Sequence, residues 1–177
     1  MNLVLIGYRG TGKSQVGRLV ARRTRMPCVR MDEEIERQAG MSIPEIVAQF
    51  GWPHFRDLET ELVRKLAGRD NTLIDTGGGV IERGENVELL RRSACVIWLR
   101  ASVATIVRRI EGGTRRPALT AGKSFTEEVA GVLERRTPLY ASASHFQVDT
   151  DQLAPAQVAQ RVIEIWEEWK KEEGHPA

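Results

Sequence analysis

The sequence predicts an α/β protein of three layers, a parallel sheet with helices on both faces. Three observations predict it. Short apolar runs recur at residues 3–6, 28–31, 72–74, 95–99 and 145–148, each short enough to be a buried strand. Between them lie segments whose apolar residues return every three or four positions, as helices require. Strands alternate with helices almost throughout, the order from which parallel sheets are built. At 177 residues the chain reads as one domain, 1–177, able to bury about two thirds of its unfolded surface.

The first run leads directly into Gly7-Tyr8-Arg9-Gly10-Thr11-Gly12-Lys13-Ser14, which fits G-x-x-x-x-G-K-[ST] at every fixed position. A helix follows over 15–24, marked by Val16, Leu19 and Val20. Strand, glycine turn and helix in that order form a phosphate-binding loop, in which backbone N–H groups and the helix N-terminus face one concavity. Lys13 would reach the β- and γ-phosphates of a nucleoside triphosphate, and the Ser14 hydroxyl would complete a Mg²⁺ shell. The expected nucleotide contacts are Gly10, Thr11, Gly12, Lys13, Ser14 and Gln15.

The second run ends at Asp32-Glu33-Glu34-Ile35-Glu36, where Asp32 is placed to cap a helix with an acidic first turn. Ser42-Ile43-Pro44-Glu45 starts another helix, with Glu45 as capping-box partner of Ser42 and Pro44 where its missing N–H costs nothing. Phe55, Leu58, Leu62, Val63 and Leu66 continue a helical stripe that carries Arg56 and Glu59, spaced to pair. The third run passes through Asp75-Thr76 into Gly77-Gly78-Gly79. Residues 111–124 are rich in Gly, Thr, Arg and Pro and lack an apolar period, which predicts a lid hinged at Gly112-Gly113 and carrying Arg115-Arg116. The last helix begins near Pro155, with Val158, Val162, Ile165, Trp166 and Trp169 on one stripe.

Composition narrows the function. The net charge is +2 and 28% of residues are charged, as in an ordinary soluble globule. Arginines gather at 108, 109, 115, 116, 135 and 136 without the interleaved aromatics of a single-strand binder. That pattern favours phosphate chemistry over a nucleic-acid partner. No apolar run approaches bilayer length, and the N-terminal run is too short for a signal peptide. Cys28 and Cys95 lie in apolar runs, as reduced buried thiols do. The expectation is a cytoplasmic protein with no membrane partner.

A phosphate loop alone fits ATPases, GTPases and small-molecule kinases. No N-K-x-D guanine-reading segment occurs, and an Arg-bearing lid suits phosphoryl transfer, where charge neutralisation and exclusion of water dominate. Read together, Asp32, Phe55-Arg56, the triple glycine, Arg116-Pro117 and Arg136-Thr137-Pro138-Leu139-Tyr140 resemble the shikimate kinase family, from Leu3 to about Pro155. The resemblance implies a nucleoside-monophosphate-kinase-like fold with a central five-stranded parallel sheet. It also implies transfer of the γ-phosphoryl of ATP to the 3-hydroxyl of shikimate, and a monomer. Asp32 would bind the shikimate hydroxyls and orient or deprotonate the attacking one. Arg56 and Arg136 would hold the substrate carboxylate, Gly78 would contact shikimate, and Arg116 would contact the phosphates of ATP. Arg109 and Pro155 would flank adenine, while Arg135 matches nothing and should be solvated.

Four positions depart from the family pattern. Arg30 stands where an aspartate commonly helps hold the Mg²⁺ water shell, and Asp75 stands where a neutral residue is common. Gln15 replaces a usual Thr, and Leu153 replaces an adenine-side arginine. Asp75, placed like a Walker-B acid, could take over the metal role. Two other functions stay open on sequence alone. One is a gluconate kinase or another small-metabolite kinase of the same fold; the other is a non-catalytic nucleotide-binding relative.

Overall fold

The computed structural model describes residues 1–110 and 124–172. The order is β1 (Asn2–Ile6), α1 (Lys13–Thr24), β2 (Cys28–Arg30), α2 (Met31–Ala39), α3 (Ile43–Ala67), β3 (Leu73–Asp75), a 3₁₀ turn at Val80–Glu82, α4 (Gly84–Ser93), β4 (Ala94–Arg100), α5 (Val103–Ile110), α6 (Phe125–Ala143), β5 (Phe146–Asp149) and α7 (Pro155–Glu172). All five predicted strands are present, paired in parallel in the order β2-β3-β1-β4-β5.

The continuous apolar runs follow from burial on both faces. Along β1, Leu3 and Leu5 pack with α1 and α7, through Val16, Val20, Val158, Val162 and Trp166. Val4 and Ile6 turn to the opposite face, where Ile35, Phe55, Leu62, Leu90, Ile106, Val129 and Tyr140 fill the layer built by α2 to α6. The side-chain period of two thus sorts one strand into two cores.

Several element ends shift by one or two residues from the sequence reading, and two of these shifts change a residue's role. Met31 begins α2 instead of ending β2, because its fully buried side chain joins the helical face with Ile35. Asp32 is therefore not the N-cap. Arg30 takes that position in extended conformation with no side-chain capping bond, and Asp32 lies in the first turn. The capping box of α3 is as expected: Ser42 N–H donates to Glu45 Oε2 at 2.7 Å, and Glu45 N–H donates to Ser42 Oγ at 3.4 Å. A second box, missed in the sequence, starts α6, where Ser124 N–H donates to Glu127 Oε2 at 2.9 Å. Ser124 therefore opens a helix, while the rest of the expected lid, including Arg115 and Arg116, lies outside the described residues. Within α3 the helix kinks at Gly51, whose φ of 83° is followed by Pro53.

Candidate active site

The C-terminal ends of β1, β2 and β3 open into a single cleft of about 1390 Å³. Ligand sites of open α/β sheets form at this end, outside the strand termini. The cleft is lined by Gly10, Thr11, Gly12, Lys13, Ser14 and Gln15 at one part, and by Asp32, Arg56, Gly77, Gly78, Gly79 and Arg136 at another. Every sequence-predicted site residue among the described residues therefore shares one cavity. Arg116 lies outside them.

The phosphate loop is built as its glycines require. Gly12 takes φ 94° as N-cap of α1, a left-handed geometry that leaves the first N–H groups of the helix unspent by a side-chain cap. At Gly7 a Cβ would come within 2.3 Å of the Leu99 carbonyl oxygen, so the loop lies tight against β4. The Lys13 ammonium donates to the Gly7 carbonyl at 2.7 Å and to the Tyr8 carbonyl at 3.0 Å. Those carbonyls hold a nearly buried cation inside the curl of its own loop. Arg9 leaves the loop to donate to Glu128 on α6 at 3.0 Å, with its guanidinium 5.7 Å from the Tyr8 ring centre and 5.5 Å from that of Phe125.

Asp75 stands beside the loop, 5% exposed. Burial raises its carboxyl above the ordinary aspartate range, against the pull of Lys13, a hydrogen bond from Ser14 and the charge of Arg30. The same Ser14 hydroxyl that closes the loop motif is thus in contact with a carboxylate. Among the described residues no three His, Cys, Asp or Glu gather into a metal cage.

At the other part of the cleft the glycine turn is crowded. A Cβ at Gly77 would meet Asp32 Oδ1 at 2.7 Å and Glu59 Oε1 at 2.8 Å, and a Cβ at Gly79 would overlap the Arg56 guanidinium at 2.2 Å. Gly78 is different: a Cβ there meets nothing nearer than 3.5 Å. The steric demand for glycine therefore falls on 77 and 79, and Gly78 contributes its carbonyl, which accepts from the Tyr140 hydroxyl at 2.5 Å. Tyr140 is itself fixed by stacking on Trp98, centroids 5.6 Å apart, and burial pushes its hydroxyl well above the usual tyrosine range.

Arg56 pairs with Glu59, as the i,i+3 spacing predicts, and lies 5.4 Å and 5.3 Å from the ring centres of Trp52 and Phe55. Glu59 is 1% exposed, and burial pushes its carboxyl up to about 7 although Arg56 pulls it down. Arg136 on α6 is 5% exposed, and its Nε donates to Glu82 Oε1 at 2.8 Å. Glu82 also lies 3.5 Å from Arg56 Nε. Arg135, solvated as expected, reaches only 3.9 Å from the same carboxylate.

Arg109 donates to the Thr150 hydroxyl at 3.0 Å, the Thr150 carbonyl at 2.8 Å and the Gly10 carbonyl at 3.2 Å. Arg109, Leu153 and Pro155 all line the cleft beside the loop. Arg9, Glu82, Tyr140 and Thr150 escaped the sequence reading. Arg9 and Tyr140 lay in stretches already singled out; Glu82 and Thr150 did not.

A phosphate loop, a buried acid at the neighbouring strand end and two arginines across one cleft define a small-molecule kinase. The comparisons give the family. The family model described as shikimate kinase matches residues 9–167. A shikimate kinase of Thermodesulfovibrio yellowstonii is 40% identical over 94% of this chain and 95% of its own. Among solved structures, the shikimate kinase of Acinetobacter baumannii, in complex with shikimate, aligns with a TM-score of 0.89 at 31% identity, covering 96% of this chain and 94% of its own. The Aquifex aeolicus shikimate kinase aligns with a TM-score of 0.79 at 27% identity, covering 95% and 97%. The chain belongs to the shikimate kinase family, and its activity is the ATP-dependent phosphorylation of the shikimate 3-hydroxyl.

Proposed function

We propose the following division of labour for that reaction. The amides of Gly10, Thr11 and Gly12, with Lys13, Ser14 and Gln15, hold the triphosphate of ATP. Lys13 neutralises charge that grows as the γ-phosphoryl leaves its β–γ bridging oxygen. Arg116 adds a second cation from the segment outside the described residues. Asp32 binds the shikimate hydroxyls and accepts the proton of the attacking one as its oxygen forms the new bond to phosphorus. Arg56 and Arg136 hold the shikimate carboxylate, a task suited to planar guanidinium forks. Gly78 contacts the acceptor through the turn that Tyr140 anchors.

The residues beside the loop suit a magnesium ion. Ser14 and Asp75 offer one hydroxyl and one carboxylate in mutual contact, and Mg²⁺ takes few protein ligands and keeps most of its waters. When bound, such an ion would supply charge neutralisation for the triphosphate. Ser14 would then hold it directly and Asp75 through its water shell. No helix among the described residues is long and apolar enough to cross a membrane. We read the enzyme as a cytoplasmic monomer on the family resemblance.

The observation that carries this reading is the single cleft joining Lys13, Ser14 and Asp75 to Asp32, Arg56 and Arg136. A coupled ADP-release assay with shikimate, with gluconate and with no acceptor tests it. Release dependent on shikimate alone is expected. Turnover with gluconate at comparable kcat/KM, or none with either, would overturn it.

A further inference from the structure

Glu82 has no part in the division of labour above, yet it is the residue through which the two carboxylate-binding arginines are joined. They come from distant parts of the chain, Arg56 from α3 and Arg136 from α6. Two guanidiniums held close enough to share one ligand repel each other, and a largely buried setting strengthens that repulsion. Glu59 offsets Arg56 alone. Glu82 touches both: its Oε1 accepts from Arg136 Nε at 2.8 Å and lies 2.7 Å from Arg136 Nη2, and its Oε2 lies 3.5 Å from Arg56 Nε.

Its position is set by the backbone. The 3₁₀ turn Val80–Glu82 follows the glycine turn directly, with Val80 and Ile81 buried in the core, so Glu82 projects from a fixed support. Glu82 N–H donates to the Gly79 carbonyl at 3.0 Å, tying it to the glycine over which Arg56 lies. Both arginines line the cleft, whereas Glu82 is not part of its wall. It therefore meets the guanidiniums outside the cavity and takes the Nε edge of each, a contact that does not require the space a substrate carboxylate would enter.

We propose that Glu82 is a positioning residue for acceptor recognition, cross-linking Arg56 and Arg136 through their Nε edges so that both present a fixed fork to the shikimate carboxylate. This rests on the assignment of those two arginines to the carboxylate. Without the Glu82 charge, Arg136 loses its carboxylate partner, the two cations repel, and the fork must be assembled by the substrate itself. The cost falls on binding of the acceptor and not on phosphoryl transfer.

Glu82→Gln, Glu82→Ala, Arg136→Lys and the double variant Glu82→Gln/Arg136→Lys separate the possibilities by steady-state kinetics. Glu82→Ala should raise the shikimate KM about tenfold, in the range of couplings within one ion-pair network. Glu82→Gln, which keeps an acceptor oxygen for Arg136, should raise it less. The kcat and the ATP KM should stay within about twofold, a split that general loss of stability would not produce. Because Glu82 acts through Arg136, the double variant should be little worse than Arg136→Lys alone. A shikimate KM unchanged in Glu82→Ala, or lowered because the residue competes with substrate, overturns the proposal. An unchanged shikimate KM in Arg136→Lys would instead overturn the carboxylate assignment beneath it.

Discussion

Arg30 and Asp75 are register partners on adjacent parallel strands, and Arg30 Nε lies 3.7 Å from Asp75 Oδ2. Arg30 occupies the position where the family commonly carries an aspartate. In this chain the carboxylate is found one strand over, at the same level of the sheet and against Ser14. The site has a negative group beside the loop, and Arg30 partly neutralises it.

From this relationship, Asp75→Asn should raise the Mg²⁺ requirement about 10- to 100-fold, the range for a lost outer-shell partner. Arg30→Asp should be tolerated or tighten metal binding. Titrating activity against Mg²⁺ at saturating ATP and shikimate measures both. An unchanged requirement in Asp75→Asn would leave that residue as a strand-end group with no metal role.

Lys13→Ala should abolish transfer and leave the fold intact, since the hydrogen bonds from its ammonium to the Gly7 and Tyr8 carbonyls lie within its own loop. Circular dichroism and a thermal melt establish the fold, and the coupled assay establishes turnover. Near-normal turnover in this variant would refute the nucleotide-site assignment.

Arg56→Ala and Arg136→Ala should weaken shikimate by several kcal/mol, because each leaves a carboxylate partly unpaired, and should alter ATP affinity little. Calorimetric titration of each ligand separately gives the comparison. If ATP weakens as much as shikimate, the two arginines do not serve the acceptor.

The glycine turn makes a sharper prediction. Gly79→Ala places a methyl where the Arg56 guanidinium now lies, so the arginine must leave and the shikimate KM should rise at least tenfold. Gly78→Ala meets only ordinary contacts and should keep its KM within a few-fold. Equal effects at the two positions would contradict this steric account.

Glu59 should impose a pH dependence on stability. Burial raises its folded value to about 7 from an ordinary 4.5. Between those values the folded state binds more protons than the unfolded one, so stability falls as pH rises from about 4.5 to 7 and stays reduced above. Glu59→Gln should remove that slope, worth up to roughly 3 kcal/mol. Urea melts at pH 5 and pH 8 read it directly. Parallel slopes in the two proteins would exclude Glu59 as the source.

The strands and the phosphate loop were legible in the sequence because their signals are local. Burial on both faces writes each strand as an unbroken apolar run, and the loop's glycines are contiguous with its lysine. Met31 was misplaced because an apolar residue at a strand–helix junction extends either pattern equally well. The interactions that assemble the acceptor end are long-range: Arg136 meets Glu82 across 54 residues, Arg9 meets Glu128 across 119, and Tyr140 reaches Gly78 across 62. No spacing rule encodes such pairs, since they exist only once the sheet has brought the strand ends together. Resemblance supplied Arg136 but not the carboxylate that fixes it.

The central place of β1 in the sheet has an evolutionary consequence. On its β3–β2 side lie Asp32, the glycine turn and, on α3, Arg56; on its β4–β5 side lie Arg109, Thr150, Leu153 and Pro155. On the division of labour proposed above, two elements cross between these halves: α6 sends Arg136 to the acceptor side, and β3 ends in Asp75 beside the phosphate loop. Exchange of one small hydroxylated acceptor for another would therefore fall on α2, α3, the glycine turn and α6, leaving the phosphate loop and Asp75 in place.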